Sequence, residues 1–577
     1  MREHQLDYYM IPGTDPHFNE YLTAHFRRRD WISGFTGSQG DLLVGLDAAY
    51  LWTDSRYFVQ AAQELDPNLF QLMKQLPGLP SSPEAWLVDA QPSFSLGVDP
   101  QLITQQRYQA MSAKFSAAQT IVAIEDNWVD AVRGDVEEAS SAANIIHMQN
   151  TGESVAHKLQ RLRQAMVTAA TDGMLISGLA DIAWLLNVRD VAAAYNPVVT
   201  SYLWVEATRL VWFVEADGMQ PADRVLLIEM GVEIQSYASL KAFLSRCAGR
   251  VWLDPAETSW WVTRLLSNCE QHAATLPCVL WRACKNSTEL AGMQAAHVAD
   301  GVAMVRFLAW LDQYGIGCSE SELAEQLAQF RAECDGYRGA SFPTIMGYGA
   351  NGAIVHYQAP STGGAVVSDE LPLLFDSGGQ YDLGTTDITR VVHLGEPSIA
   401  HKQHYTWVLK GHIALSRVVF PAGTQGFQLD ALARQFLWAA GLDYGHGTGH
   451  GVGAYLCVHE GPQSISPAPR QQSLLPGMVV SNEPGVYLPD QWGMRIENLQ
   501  VVRESDVVKS VEGEAFYCFE PLTCVPYARD LLALEHLTDM EIAWLNDYHQ
   551  MVLKRLMPLL SEPSVKTWLQ SACAPII

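Results

Sequence analysis

The chain has 577 residues, 48% of them hydrophobic and 17% charged, with a net charge of −26. The length predicts roughly three to five domains, and the apolar content excludes bulk disorder. A chain this acidic has no overall field for holding nucleic acid or an anionic membrane.

No apolar run reaches the ~18 residues of a membrane span. The long uncharged stretch Ser341 to Ser368 is broken by Gly, Pro and Asn. The first residues, MREHQLDYYMIPG, lack the apolar core of a secretory signal, so the expected compartment is the cytoplasm. The ten cysteines agree: they form no C-x-x-C and none precedes Cys247.

Taken in order, residues 1–150 alternate strand-like runs such as Gly40–Trp52 with helical ones such as Tyr57–Leu65. The basic Arg27–Arg29 cluster and Arg56 predict a solvated face or an interdomain salt bridge, and Trp260-Trp261 a core or interface pair. The polar stretch Glu137–Ser141 and Gly152 suggest a linker near 150. Then Val155, Leu159, Leu162 and Met166 recur at helical spacing, and the strand-like Met174–Gly178 follows. This second α/β region, 151–284, ends at Lys285-Asn286-Ser287-Thr288-Glu289. Ser287 is the expected N-cap of a long amphipathic helix through Ala291–Gln313. A third domain is placed at 285–577, so the fold class is α/β with two small mixed domains ahead of a larger one.

The third domain carries the chemistry. Leu373–Phe375 run as a strand into Asp376, and Asp387 stands on a second strand after a Gly- and Thr-rich turn. His446 and His450 lie in HGTGHGVG, where glycines permit close backbone approach. His459 follows in VHEGP, Glu483 in SNEPGVY and Glu497 in MRIEN. A strand, a turn beginning at Pro484-Gly485 and a strand would bring the two glutamates together. Four carboxylates with an imidazole suit a pair of divalent ions rather than a thiolate-bound zinc. Without cations they would repel and rise in pKa, whereas two ions can share and acidify one water. Gly449, Gly451 and Ala454 also match a loose dinucleotide-loop pattern, but no strand–glycine–helix context supports it.

These segments resemble the pita-bread metallopeptidases: methionine aminopeptidase, prolidase and aminopeptidase P. The family's ligand order Asp, Asp, His, Glu, Glu falls on Asp376, Asp387, His450, Glu483 and Glu497. NGAIVHYQA, HGTGHGVGAYLCVHEGP, SNEPGVY and GMRIEN are similar to the long, three-domain cytosolic Xaa-Pro aminopeptidases. So are NEY, RRRDWISGFTGSQG and LWTDSRYFVQA in the first domain, DIAWLLNVR and NPVVTSY in the second, and FEPLTCVP near the end. Where those relatives read Arg-Gly-x-Asp, this chain has Arg189-Asp190-Val191-Ala192.

The resemblance implies two creatinase/prolidase-like N-terminal domains, a pita-bread catalytic domain with a C-terminal extension, and a homodimer. It implies two divalent ions per subunit, Mn²⁺ first and Co²⁺ or Zn²⁺ otherwise, sharing a bridging hydroxide. Asp387 and Glu497 would bridge the ions, His450 and Glu483 complete one, and Asp376 the other. Glu483 would shuttle the proton. His356 and His459 would act on substrate and tetrahedral intermediate, His446 would line the proline pocket, and Arg495 would orient a site carboxylate with Tyr487 nearby. The implied activity is removal of the first residue from peptides with proline second. The alternatives are a prolidase, which cleaves only Xaa-Pro dipeptides, and a non-catalytic peptide-binding module.

Overall fold

The computed structural model describes residues 1–577 apart from 77–78, 135, 137–142, 147, 216 and 509–512. The Glu137–Ser141 stretch, read above as a linker, therefore lies outside the described residues. The chain forms two compact units. One comprises Met1–Met148, Glu153–Ala193 and Pro197–Val279; the other is Leu280–Ile577 with the short segments Gln149–Gly152 and Ala194–Asn196.

The first unit contains two six-stranded sheets. In the first, β1 (Tyr8–Pro12) pairs antiparallel with β2 (Asp41–Gly45), and β2 with β3 (Ala49–Thr53). β4 (Phe70–Lys74) adds parallel at one edge, β5 (Phe94–Val98) and β6 (Gln119–Ala123) parallel at the other. The order is β4-β3-β2-β1-β5-β6. The second sheet repeats it as β10-β9-β8-β7-β11-β12, with the same parallel and antiparallel steps. Its strands are β7 (Gly173–Ile176), β8 (Ser201–Glu206), β9 (Leu210–Val214), β10 (Glu233–Gln235), β11 (Arg250–Leu253) and β12 (Glu270–Ala273). Helix α1 (Val155–Thr168) precedes it, capped by Ser154, and buries Val155, Leu159, Leu162 and Met166 as their spacing predicts.

Matching segments of the two halves meet. Gln105 N donates to Thr258 O (2.8 Å) and Trp260 N to Ile103 O (2.9 Å). Gln106 N donates to Pro255 O and Trp261 N to Pro100 O, both 2.9 Å. Each pair is the other with the halves exchanged, at a constant offset of 155 residues. Trp260 stacks on Tyr108 with ring centroids 4.1 Å apart, so it is the internal contact residue expected. The basic cluster is not a solvated face. Arg28 and Arg29 are buried; Arg28 pairs with Asp130, and Arg29 donates to the carbonyls of Gly37 and Gly40. Loop carbonyls and the carboxylates of Asp30 and Asp130 meet these guanidiniums inside the first half. Arg189 is buried too, donating to the carbonyls of Ala183 and Val188, and Asp190 Oδ1 accepts from Ala192 N.

The second unit begins with α2 (Ser287–Tyr314). Its N-cap is Asn286, not Ser287: the Asn286 side chain accepts from Thr288 N and Glu289 N, while Glu289 reaches back to Asn286 N. That capping box satisfies donors a cap at Ser287 would leave one residue out of phase. α3 (Glu320–Ala332) is capped the same way by Ser319 and Glu322. A three-stranded antiparallel sheet follows: β13 (Ile345–Tyr348), β14 (Leu373–Ser377) and β15 (Ile388–Val392). After α4 (Ile399–Arg417) comes a six-stranded sheet of order β16-β23-β22-β19-β17-β18. Its strands are β16 (Phe420–Pro421), β17 (Gly449–Gly451), β18 (Glu460–Ile465), β19 (Val479–Asn482), β22 (Asn498–Glu504) and β23 (Phe516–Pro521). A separate hairpin, β20 (Gly485–Leu488) and β21 (Trp492–Arg495), leaves it between β19 and β22. Helices α5 (Asp539–Leu556) and α6 (Pro563–Ala572) close the chain, burying Leu545, Val552 and Leu569 in the same core as Val408, Leu409 and Ile413 of α4.

All ten cysteines are free. Among the described residues no helix is long and apolar enough to cross a membrane.

Candidate metal centre

Five stretches of backbone bring the five expected ligands to one place. Asp376 stands on β14, where it pairs with Thr389 of β15. Asp387 is not on the second strand as expected but one residue ahead of it. After Ser377 the chain detours through two short strands, Gly379–Tyr381 and Gly384–Thr385, which belong to another sheet. The close return is possible because residue 378 is glycine: a Cβ there would lie 2.0 Å from Thr386 O. His450 is the middle residue of β17. Glu483 and Glu497 immediately follow β19 and precede β22. The last pair of that ladder is Asn482 with Asn498, so one step further the two glutamates face each other. The connection expected to be a turn is the β20–β21 hairpin.

Ligand atoms of Asp387, His450 and Glu497 all lie within 4.8 Å of one another. His450 Nε2 is 3.5 Å from both Asp387 Oδ2 and Glu483 Oε1. His450 Nδ1 lies 2.9 Å from Gly451 O, which can only accept, so Nδ1 carries a proton and Nε2 is the ring atom that faces the carboxylates. Asp376 Oδ1 is buried with no hydrogen-bond partner. Leaving such an atom unpaired costs ~1–3 kcal/mol or more, and a cation is what this donor set would accept there.

Electrostatics point the same way. Burial is the largest influence on each acid. It pushes Asp376 up to about 7, helped by Asp387 and Glu483 and opposed by Arg495. Burial and the neighbouring carboxylates also raise Glu483 and hold Glu497 well above its usual range. Burial works against charge on His450, yet Asp387 and Glu483 hold it up to about 9. The cluster holds more negative charge than its one arginine offsets, and divalent ions would relieve that excess.

Around the ligands, Arg495 donates through Nη2 to Asp376 Oδ2 and through Nη1 to Tyr487 OH, both 2.6 Å. Tyr487 OH lies 2.8 Å from His446 Nε2, while His446 Nδ1 donates to Gly447 O. Arg495, Tyr487 and His446 are thus one hydrogen-bonded chain. His459 packs edge-on against His450, ring centroids 4.5 Å apart. His356 follows Val355, whose carbonyl lies 3.5 Å from Arg495 Nη2.

Two residues outside the sequence reading touch the ligands. Thr389 Oγ1 donates to Glu497 Oε2 (2.8 Å) and accepts from Arg495 Nε. Ser481 Oγ donates to Glu483 Oε1 (3.2 Å) and accepts from His450 N. Both stand two positions from a ligand in extended chain, the same-face position, and that period was the available signal. Behind them, Arg390 donates to Glu497 O and to Asn498 Oδ1. His412 Nδ1 donates to Asn482 O and its Nε2 accepts from Tyr527 OH. The glycine pattern at 449–454 is no dinucleotide loop, since β17 runs into a turn with no helix after it.

Comparison with known proteins agrees along the whole chain. Residues 291–504 match metallopeptidase family M24 and 515–576 the C-terminal region of peptidase M24. Residues 1–134 and 136–289 each match a creatinase/prolidase N-terminal domain. Aminopeptidase P2 of Arabidopsis thaliana is 37% identical over 99% of this chain and 86% of its own length. A probable Xaa-Pro aminopeptidase P of Fusarium vanettenii is 38% identical over 100% of this chain and 97% of its own. The crystal structure of an X-prolyl aminopeptidase from Caenorhabditis elegans, described as a cytosolic enzyme with a di-nuclear active site, superposes with a TM-score of 0.94. It is 34% identical and covers 99% of this chain and 95% of its own. An Xaa-Pro dipeptidase from Bacillus anthracis covers 65% of this chain and 99% of its own, at 23% identity and a TM-score of 0.51, a likeness of fold alone. With two creatinase-type domains ahead of a pita-bread domain, the chain belongs to metallopeptidase family M24, in its Xaa-Pro aminopeptidase P group.

Proposed function

We propose that the protein is a metal-dependent aminopeptidase that hydrolyses the bond between an N-terminal residue and a following proline. The observation that carries the reading is the convergence of buried Asp387 and Glu497 with the half-buried His450. Asp387 and Glu497 would bridge two ions, His450 and Glu483 would hold one, and Asp376 the other. Mn²⁺ is the ion we assign, with Co²⁺ or Zn²⁺ compatible with the same ligands. When bound, the ions supply an acidified water at neutral pH and neutralise the carboxylates.

The chain's own groups do the rest. Glu483 Oε1 is engaged by Ser481, leaving Oε2 to carry a proton from water to the leaving nitrogen. His356 and His459 would donate to the substrate carbonyl as it becomes tetrahedral. The Arg495–Tyr487–His446 chain would hold Asp376 and wall the proline ring. An Xaa-Pro amide has no N–H and is restricted on both sides, so a site that reads ring shape suits it better than one that reads an amide donor. We place the domains at 1–150, 151–284 and 285–577, the last catalytic. A cytoplasmic homodimer belongs to the same proposal, to be checked by light scattering on the purified protein.

The test is product analysis. Metal-stripped, Mn²⁺-reloaded protein is given Gly-Pro-Phe and Gly-Pro. Glycine released from the tripeptide, and lost on chelation or in His450→Ala, is the expected result. Cleavage of the dipeptide alone would mean a prolidase. Cleavage of neither with any divalent ion would leave a peptide-binding module.

A further inference from the structure

One fully buried acid of the second unit lies outside everything assigned so far. Glu320 is the first residue of α3, and its side chain accepts hydrogen bonds from neutral donors. Oε1 takes Tyr348 N (2.8 Å) and Asn351 Nδ2 (2.9 Å). Oε2 takes Tyr357 OH (2.8 Å) and Ala365 N (2.9 Å). The N-terminus of the 13-residue helix α3 favours negative charge where this carboxylate sits. Burying a carboxylate is expensive unless such donors meet it.

The donors are not random in sequence. Residues 348, 351, 357 and 365 bracket His356. Between them the chain coils in a short 3-10 turn, Gly349–Ala353, and Ile354 N and Tyr357 N bond back to Asn351 O and Ile354 O. The same segment has a second anchor. A Cβ at Gly493 would lie 1.8 Å from Gly352 O, and one at Gly347 2.8 Å from Gly352 Cα, so backbone rests on backbone there. Arg495 Nη2, which also holds Asp376, reaches Val355 O at 3.5 Å. The segment carrying His356 is thus tied to the β21 strand that leads to Glu497 and, through four donors, to one carboxylate.

We propose that Glu320 is the positioning residue of His356: its carboxylate gathers Tyr348, Asn351, Tyr357 and Ala365 so that the imidazole is held in register with the metal centre. The inference rests on the reading of His356 as a substrate-facing residue.

Glu320→Gln keeps the shape but replaces one acceptor oxygen by an amide that meets donors. On a proline-second tripeptide with Mn²⁺ saturating, kcat should fall about 10- to 100-fold, as for a small misplacement of a reacting group. KM and bound Mn²⁺ should change little. In a His356→Ala background the same change should cost less than about twofold, since the group it positions is gone. Amide exchange at Ile354 and Tyr357 should quicken. Tyr357→Phe removes one donor only and should show the same coupling at smaller size should Glu320→Gln fail to fold. Equal losses in both backgrounds, or unchanged exchange at 354 and 357, would overturn the proposal. Full activity in His356→Ala alone would overturn the reading beneath it, a result separable from the first.

Discussion

Thr389 shows how much of the proposed metal site lies in residues outside its ligand set. Its hydroxyl spans Glu497 and Arg495, so it fixes one ligand and the group that orients another. Thr389→Val should leave the fold intact and weaken Mn²⁺ by about 10- to 100-fold, as loss of such a partner does elsewhere; the Mn²⁺ dependence of the rate measures it. Arg495 bonds Asp376, Tyr487 and Thr389 at once with a planar fork that lysine lacks. Arg495→Lys should therefore lower kcat/KM by about 100-fold or more, with protein still folded by circular dichroism. At this scale the cluster itself was legible, because four acids and a histidine in glycine-rich surroundings demand an explanation. Thr389 and Ser481 were not, because hydroxyls are common and only their place two residues from a ligand marks them.

Among the elements, β17 is tightly constrained. A Cβ on Gly449 would lie 2.0 Å from Ser481 O, which is backbone and cannot swing aside. Gly449→Ala should push β17 from β19, part His450 from Ser481, and cost about 1–3 kcal/mol, read as a lower melting temperature with weaker Mn²⁺ binding. Helices α4 and α5 each bring a buried neutral histidine. Burial, with Arg390 adding, pushes His412 down to about 3. Burial, with Arg529 and Arg390 adding, pushes His549 down to about 4. Unfolded, both titrate near 6.5. Below that pH the unfolded chain binds more protons than the folded one, so stability is whole above about 6.5 and is lost as pH falls toward 4 and 3. Each histidine should cost about 2 kcal/mol between pH 7 and 5; the acid shift of the melting temperature should shrink in His412→Gln. The sequence pattern foretold strands beside both carboxylate pairs. It missed the detour at 378–386 and the β20–β21 hairpin, because a spacing of 11 or 14 residues counts chain length and not the path taken.

At the scale of the molecule, the proposed ligands come from stretches up to 121 residues apart, so ions held by them would bind only the folded second unit. Removing the ions should lower its melting temperature, by the equivalent of about 2.7 kcal/mol if free metal had stood at a hundred times Kd; calorimetry of stripped and reloaded protein checks this. That creatinase-type regions precede a pita-bread domain was legible from motif. The shared strand order of the first two sheets was not, because two chains can agree in topology while their side chains answer to different neighbours. What they keep in common is a local turn: the Asp99 and Asp254 carboxylates each accept from the amide two residues on, Gln101 and Ala256, just before the segments that meet.

That meeting has a consequence for assembly. The four hydrogen bonds joining residues 100–106 to 255–261 form a self-complementary contact of the kind by which two identical subunits pair about a two-fold axis. Here both partners lie in one polypeptide, so the symmetry closes on itself. The patch is consumed within each molecule and cannot template a further copy. Whatever association the protein enters must be nucleated on a different face.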